Sequence, residues 1–161
     1  MISFSEGDCR FNYRVAGVAV REGRLLLHRF QSDGFWTLPG GRAEMGEVSS
    51  QTLIREMEEE TGLKVIPTRL IWMAENFFIY HGRKYHELGL FYEMELENEG
   101  VAPFTGAEGN HLLEFRWFSP EEIEQETLYP AFLRSAWTEI GPGVRHFIED
   151  SPDPRKVQQA D

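Results

Sequence analysis

The sequence predicts an α/β fold in which helices pack against a mixed β-sheet. Short apolar segments with strand-like alternation outnumber helical segments, and the two kinds are interspersed along the chain. The 161 residues suit one domain with a full core, and 41% apolar content is typical of a globular protein. Because no linker or repeat divides the chain, we expect one domain over residues 1–150. A flexible tail is expected over residues 151–161, which hold two prolines and few apolar residues.

The first predicted elements form a β-hairpin. Residues 13–20 and 24–29 are rich in apolar residues, and the Glu22-Gly23 pair between them is a turn signal. A short apolar segment over residues 35–38 leads into Pro39-Gly40-Gly41, which requires a loop with unusual backbone angles.

The longest predicted helix covers residues 48–61, because this stretch contains no proline or glycine and Gly62 supplies a C-terminal signal. Residues 70–80 and 85–96 are predicted to be two strands joined by a turn at His81-Gly82. Apolar and polar residues alternate in the second strand, which indicates one buried face and one mostly polar face.

The last part of the chain is predicted to be a loop, a strand and helices. Residues 98–110 are polar and contain glycine, and residues 115–118 read as a strand. Ser119 followed by Pro120 and two glutamates is a strong helix start. Residues 130–140 are predicted to be another helix or a continuation of this one.

Charge limits the class of partner. A formal net charge of −11 argues against binding duplex nucleic acid, which requires a basic surface. The charge is compatible with a small anionic substrate if a divalent cation lies between the acidic side chains and the substrate's phosphates.

Cysteine content and hydropathy indicate a cytoplasmic protein that does not enter a membrane. Cys9 is the only cysteine, so no internal disulfide can form. No apolar run approaches the roughly 18 residues that a transmembrane helix needs. The N-terminus carries an early acid and lacks the basic region of a secretion signal.

Three glutamates on the long helix are the first candidate site. At about 100° per residue, Glu56, Glu59 and Glu60 project from one sector of about 100° beside the apolar flank of Leu53 and Met57. Converging carboxylates repel one another unless a hard cation such as Mg²⁺ or Mn²⁺ is shared between them. On these three residues alone, an ordinary solvated acidic face is the favoured interpretation, because runs of charge usually lie at the surface.

The surrounding residues resemble the Nudix box of the MutT-like hydrolases. Five residues separate Gly41 from Glu47, and seven more precede Arg55. The segment that follows, from Glu56 to Leu63, matches the remaining specified positions of the box. Residues 35–41 resemble the usual lead-in to the box, whereas Val48 departs from the common Ser or Thr helix cap. Glu47 is expected to cap the helix in its place.

This resemblance implies a Nudix-type α/β/α sandwich with a mixed β-sheet and a loop–helix–loop site. It implies that Glu56, Glu59 and Glu60 bind Mg²⁺, or Mn²⁺ as a substitute, with a backbone carbonyl of Gly40 or Gly41 as a further ligand. Glu108 and Glu114 are candidates for an additional ligand or base from outside the box.

The implied reaction is metal-dependent attack of water on phosphorus at a pyrophosphate bond. The substrate would be a nucleoside diphosphate linked to another group, or a nucleoside triphosphate. Glu56 is the first choice for the general base and Glu59 the second. Arg55 resembles the arginine that orients the glutamates, with Glu47 as its salt-bridge partner. Alternatively, Arg55 and Glu47 only hold the loop.

Substrate recognition is less well defined by the sequence. Arg29 and Arg42 are candidates to meet phosphates, and Trp36 and Tyr80 are candidates to stack a base. Two other functions remain open: a non-catalytic Nudix-like module that senses a nucleotide, and a structural domain with an acidic helix. The sequence also leaves open whether the chain is a monomer or a homodimer.

Overall fold

The computed structural model describes residues 1–150, so the expected flexible tail over residues 151–161 lies outside the described residues. Three helices are present in this part of the chain: α1 (Ser49–Thr61), α2 (Pro120–Glu124) and α3 (Leu133–Ala136). None of these helices is long and apolar enough to span a membrane. The strands of residues 1–150 are β1 (Ser3–Glu6), β2 (Cys9–Val18), β3 (Val20–Arg21), β4 (Arg24–Phe30), β5 (Gly40–Arg42), β6 (Val65–Tyr80), β7 (Arg83–Leu96), β8 (Phe104–Glu108), β9 (His111–Phe118) and β10 (Arg145–Asp150).

The strands form a mixed sheet and a smaller antiparallel sheet. The larger sheet has the order β1-β2-β7-β6-β10, and β5 pairs with β2 away from this path. Within it, β2 is parallel to β7 and β10 is parallel to β6, whereas the remaining pairs are antiparallel. The smaller sheet has the order β3-β4-β9-β8. The predicted α/β class with a mixed sheet is therefore confirmed.

Two apolar cores hold these layers together. The first contains Trp36 and Trp72 with residues of α2 and α3. The second contains Leu53 and Met57 of α1, both fully buried, packed with residues of β2, β7 and β9. The apolar flank predicted for α1 is thus the surface that fixes the helix on the sheets, and this positions the glutamates on its adjoining face.

The prediction of a polar face on β7 is wrong. Phe91 lies on that face and is 3% exposed, in contact with the rings of Trp72 and Phe132. Both faces of this central strand are covered, because α1 packs against one side and the first core covers the other. A strand buried on both faces does not follow simple polar–apolar alternation.

The predicted loop over residues 98–110 contains a strand, β8. This edge strand is mostly exposed and is held by backbone pairing with β9, so its sequence lacks a buried apolar pattern. The predicted helix over residues 130–140 is also wrong: only α3 is helical, after a cis peptide bond between Tyr129 and Pro130.

Candidate active site

The site is built on α1, which presents three glutamates with different exposure. Glu60 is 7% exposed, and the Glu56 side chain is 15% exposed. The Glu59 side chain is 60% exposed, at the outer edge of the same helical face. The helix ends at Gly62, whose φ of 74° is in the left-handed region that favours glycine. The spacing of the box therefore produces one buried carboxylate, one partly buried carboxylate and one exposed carboxylate.

Arg55 is the centre of a charged network that fixes the loop before α1 against the helix. Its Nε donates to Glu47 Oε2 at 2.8 Å, and one terminal nitrogen donates to Glu56 Oε1 at 2.8 Å. The same nitrogen reaches Glu59 Oε2 at 3.2 Å, and the other donates to the Arg42 carbonyl at 3.0 Å. Because the guanidinium is planar with fixed donor directions, these bonds orient the Glu56 carboxylate as well as holding the loop.

Glu47 supports Arg55 rather than capping the helix. Its carboxylate accepts from Thr52 Oγ1 at 2.6 Å and from the Glu44 backbone N–H at 3.1 Å. The hydrogen bond from Arg55 lowers the pKa of Glu47 to about 2. The N-cap residue is Val48, which makes no side-chain cap bond, so the expected capping role of Glu47 is not found.

Glu60 is a buried acid with an unsatisfied oxygen. Burial, with smaller contributions from the nearby carboxylates of Glu56 and Glu108, raises the pKa of Glu60 to about 8. Its Oε2 atom is buried without a hydrogen-bond partner. A buried acceptor without a donor is costly, so this atom marks a place where a cation or a donor would stabilise the protein.

Gly41 lies directly against Glu56. A Cβ atom at Gly41 would overlap the Glu56 carboxyl group, and a Cβ at Gly40 would overlap the β2 backbone. The two glycines therefore allow β5 to pair with β2 and to approach α1 closely. Burial also raises the pKa of Glu56, whereas Arg55 opposes that shift.

The carboxylates line a cavity of about 280 Å³. Glu56, Glu60 and Glu108 lie along one part of its wall. A different part of the wall is aromatic and is formed by Phe35, Phe78, Tyr80, Tyr85 and Tyr129. A cavity that joins an acidic wall to an aromatic wall suits a ligand with a charged part and a planar part.

Comparison with known proteins identifies the fold family. The model of the NUDIX domain matches residues 11–136. The chain belongs to the NUDIX domain family. The protein YjhB of Bacillus subtilis (strain 168) is 32% identical over 110 residues, which are 67% of this chain and 50% of that protein. The chain therefore spans about half the length of this relative.

Two further proteins show the same relationship. The CTP pyrophosphohydrolase of Escherichia coli (strain K12) is 33% identical over 122 residues, which cover 73% of this chain and 82% of that protein. A crystal structure of a NUDIX hydrolase from Nitrosomonas europaea aligns with a TM-score of 0.62 and 21% identity, over 87% of this chain and 79% of that one. The structural likeness establishes the shared fold.

The fit of this NUDIX site to a divalent cation depends on side-chain chemistry. As the side chains stand, no three metal-ligating groups within residues 1–150 are already gathered around one point. The Glu59 carboxylate accepts a hydrogen bond from Arg55 and does not line the cavity. The donors nevertheless fit a hard cation, because Glu56 and Glu60 are neighbouring carboxylates and Glu60 Oε2 has no other partner.

Three of the other residues singled out in the sequence line the cavity of the NUDIX domain: Arg29, Arg42 and Tyr80. The Arg29 guanidinium stacks over Trp36 at 4.4 Å and pairs with Glu114 at 2.8 Å. The hydroxyl of Tyr80 donates to the carboxylate of Asp33. Glu108 is exposed at the rim of the cavity.

Trp36 and Glu114 are not part of the cavity lining. Trp36 is 1% exposed and packs edge-to-face on Phe118 in the first core, so its ring is not available to stack a base. Glu114 is occupied by its ion pair with Arg29.

The polar cavity residues that were not singled out in the sequence include Asn12, Arg14 and Asn76. Arg14 donates to the Leu38 carbonyl at 2.8 Å and lies close enough to lower the pKa of Glu60 by its charge. In the sequence, such residues are visible only as polar residues at alternate positions of a strand, which lie on one face of the sheet. This pattern does not show which face borders a cavity.

Proposed function

We propose that the protein is a pyrophosphohydrolase that depends on a divalent cation, Mg²⁺ or Mn²⁺. Its substrate would be a nucleoside diphosphate linked to another group, or a nucleoside triphosphate. The observation that supports this proposal is the neighbouring pair of poorly exposed carboxylates, Glu56 and Glu60, on the wall of a ligand-sized cavity. Membership of a family that includes a CTP pyrophosphohydrolase supports the same reaction class.

Electrostatics explains why this carboxylate pair suits a cation. Burial raises the pKa of both Glu56 and Glu60, and the charge of Glu108 adds to both shifts. These three side chains, with Glu59 after a change of rotamer and the backbone carbonyl of Gly41, would hold the cation. A divalent cation bound there would neutralise phosphate charge and make a bound water more acidic.

Glu56 is placed to act as the general base. Its Oε1 atom accepts from Arg55, and its Oε2 atom faces Gly41 beside the cavity. The Arg55 bond thus fixes the carboxylate while one oxygen is left to accept a proton from the attacking water. Glu59 is the second candidate base, because Arg55 also reaches it. In this proposal Arg55 and Glu47 are positioning residues.

The phosphates of the substrate would lie near the carboxylates, and its planar part would lie against the aromatic wall. Arg42 and Arg29 line the cavity and are candidates to contact phosphate oxygens. Tyr80, together with Phe35 in edge contact at 6.0 Å, offers an aromatic surface in the same cavity.

A substrate panel tests the proposal. Nucleotide sugars, dinucleoside polyphosphates and nucleoside triphosphates would be incubated with Mg²⁺, Mn²⁺ or EDTA, and products followed by ³¹P NMR. We expect at least one class to be cleaved at a pyrophosphate bond only when a cation is present. The Glu56→Gln variant is expected to lower the rate by about 10²–10⁴.

The control variant is Glu58→Gln, because Glu58 is exposed on the same helix and lines no part of the cavity. Its rate should equal that of the wild type. Saturable nucleotide binding without any product, across cations and pH, would contradict the hydrolase and favour a nucleotide-binding module. An unchanged rate in Glu56→Gln would remove Glu56 from the role of base.

A further inference from the structure

A row of polar side chains crosses the larger sheet inside the cavity. Glu87 of β7 pairs in register with Asn12 of β2 on one side and with Asn76 of β6 on the other. All three line the cavity, and the two asparagines are each 4% exposed. The proposed hydrolysis assigns no role to this row, although buried polar groups are costly to retain without a partner.

The hydrogen bonds within the protein determine which polar atoms of this row are available to bind a ligand. Arg10 Nε donates to Ser3 Oγ at 2.7 Å, and Ser3 Oγ donates to Asn12 Oδ1 at 2.7 Å. The side chains of Asn12 and Asn76 lie beside the Glu87 carboxylate and lower its pKa as hydrogen-bond donors. Since a carboxylate only accepts, both amides present their NH₂ groups to Glu87. The oxygen of Asn12 is therefore already satisfied through Ser3.

Asn76 Oδ1 is different, because it is buried without a hydrogen-bond partner. It lies beside the Glu87 carboxylate. An ionised carboxylate offers about four lone-pair sites, so Glu87 can accept further hydrogen bonds besides those from the two asparagine side chains. Burial raises the pKa of Glu87. The charges of Arg14 and Arg42 and the NH₂ groups of the two asparagine side chains oppose this shift. Both groups would be stabilised by N–H donors from a ligand.

The surroundings of the row suit a planar ligand. Phe78 lies two residues beyond Asn76, and Tyr85 lies two residues before Glu87, on the same face of the sheet. Their rings are parallel, with centroids 5.1 Å apart and an interplanar angle of 2°, and both line the cavity. On the other side of the row the paired residues are Ala74 and Gly89, and the ring of Phe91, which also lines the cavity, lies over Gly89.

We propose that Glu87 and Asn76 are specificity determinants that bind two adjacent N–H donors on the base of the substrate, the pattern presented by guanine at N1 and N2. The proposal rests on the proposed function, because it assumes a nucleotide substrate, and it adds the class of base. Adenine and cytosine present a donor beside a ring acceptor, so one of the two protein acceptors would face another acceptor. A carboxylate opposite a ring nitrogen loses a hydrogen bond and adds repulsion.

Binding of nucleoside monophosphates tests this proposal without depending on hydrolysis, because these ligands contain no anhydride bond. The key pair is GMP and IMP, which differ only in the 2-amino group. Calorimetric titration in the presence of Mg²⁺ is expected to show GMP binding about tenfold more tightly than IMP, and about 10- to 100-fold more tightly than AMP or CMP.

The Glu87→Gln variant keeps the size of the side chain but replaces one acceptor oxygen with an NH₂ donor. We expect it to lose the preference for GMP over AMP while the weaker binding of AMP is retained. Glu95→Gln is the matched control, because Glu95 is an exposed residue of the same strand that does not line this cavity. A thermal melt checks folding, and Asn76→Ala provides a second variant that removes the other acceptor.

Equal affinity of the wild type for GMP, IMP and AMP would overturn the assignment. So would a preference for GMP that survives in both Glu87→Gln and Asn76→Ala. The outcome is separate from that of the proposed function. Selective binding without any turnover would refute the hydrolase alone, whereas turnover without a base preference would refute only this inference.

Discussion

Replacing Glu60 with glutamine should stabilise the metal-free protein and weaken its function. The pKa of Glu60 is raised to about 8 by burial, with smaller contributions from Glu56 and Glu108. The folded protein therefore holds a proton on Glu60 that the unfolded chain, with a pKa near 4.5, releases. Because the folded state binds more protons in this range, its free energy of unfolding falls as pH rises from about 4.5 to about 8.

The magnitude follows from the same values. Each tenfold change in proton binding is worth about 1.4 kcal/mol, so Glu60 should lower the stability by about 3 kcal/mol between pH 5 and pH 8. Glutamine cannot ionise and avoids this loss. In EDTA, we expect Glu60→Gln to exceed the wild type in stability by about 4 kcal/mol at pH 8 and by less than about 1 kcal/mol at pH 5.

Urea denaturation of both proteins across this pH range measures the difference directly. Saturating Mg²⁺ should reduce this advantage, since a cation at about 100 times its wild-type dissociation constant adds about 2.7 kcal/mol to the wild type and less to the variant, which binds it more weakly. The exposed Glu58→Gln variant should follow the wild type at every pH. A Glu60→Gln variant whose advantage is the same at pH 5 and pH 8 would refute the reasoning.

Three further changes are predicted from the site and its surroundings. Gly41→Ala should displace the Glu56 carboxyl group and reduce kcat by at least about tenfold, measured on whichever substrate the panel identifies. Little change is expected in Gly143→Ala, because no atom lies close to a Cβ there and its φ is outside the left-handed region. Arg55→Lys keeps the charge but loses the branched donors to Glu47 and Glu56, so we expect a fall in kcat with a nearly unchanged KM; equal activity would show that Arg55 only holds the loop. Burial, with the charge of Arg14, lowers the pKa of His28 to about 3. Protonation of His28 therefore favours unfolding, and the free energy of unfolding should fall as pH drops from about 6.5. His28→Gln should flatten that part of the pH dependence, and an unchanged slope would contradict the role given to His28.

The sequence predicted the site best where the evidence is local. The helical positions of Glu56, Glu59 and Glu60 follow from the period of α1, and its burial follows from Leu53 and Met57. The family resemblance on these residues agrees with the match of the NUDIX domain model. The helical period could not predict the difference in exposure among these three glutamates, because this difference depends on β5 and β8, which pack beside the helix.

Features that depend on distant strands were harder to predict. The sequence around Trp36 fits both a ring that stacks on a ligand and a ring that fills a core. Its contact with Phe118 in the structure shows that it belongs to the core. The row of Asn12, Asn76 and Glu87 comes from three strands whose register is set by pairing far apart in the chain. The edge strand β8 has too few buried residues to produce a strand pattern.

The account rests on a divalent cation shared by the carboxylates of residues 56 and 60. Electron paramagnetic resonance of Mn²⁺, titrated into metal-free protein, reports free and bound cation without requiring a substrate. One saturable site is expected in the wild type and in Glu58→Gln, with affinity at least about tenfold weaker in both Glu56→Gln and Glu60→Gln. Wild-type affinity for Mn²⁺ in a protein carrying both of these substitutions would contradict the account.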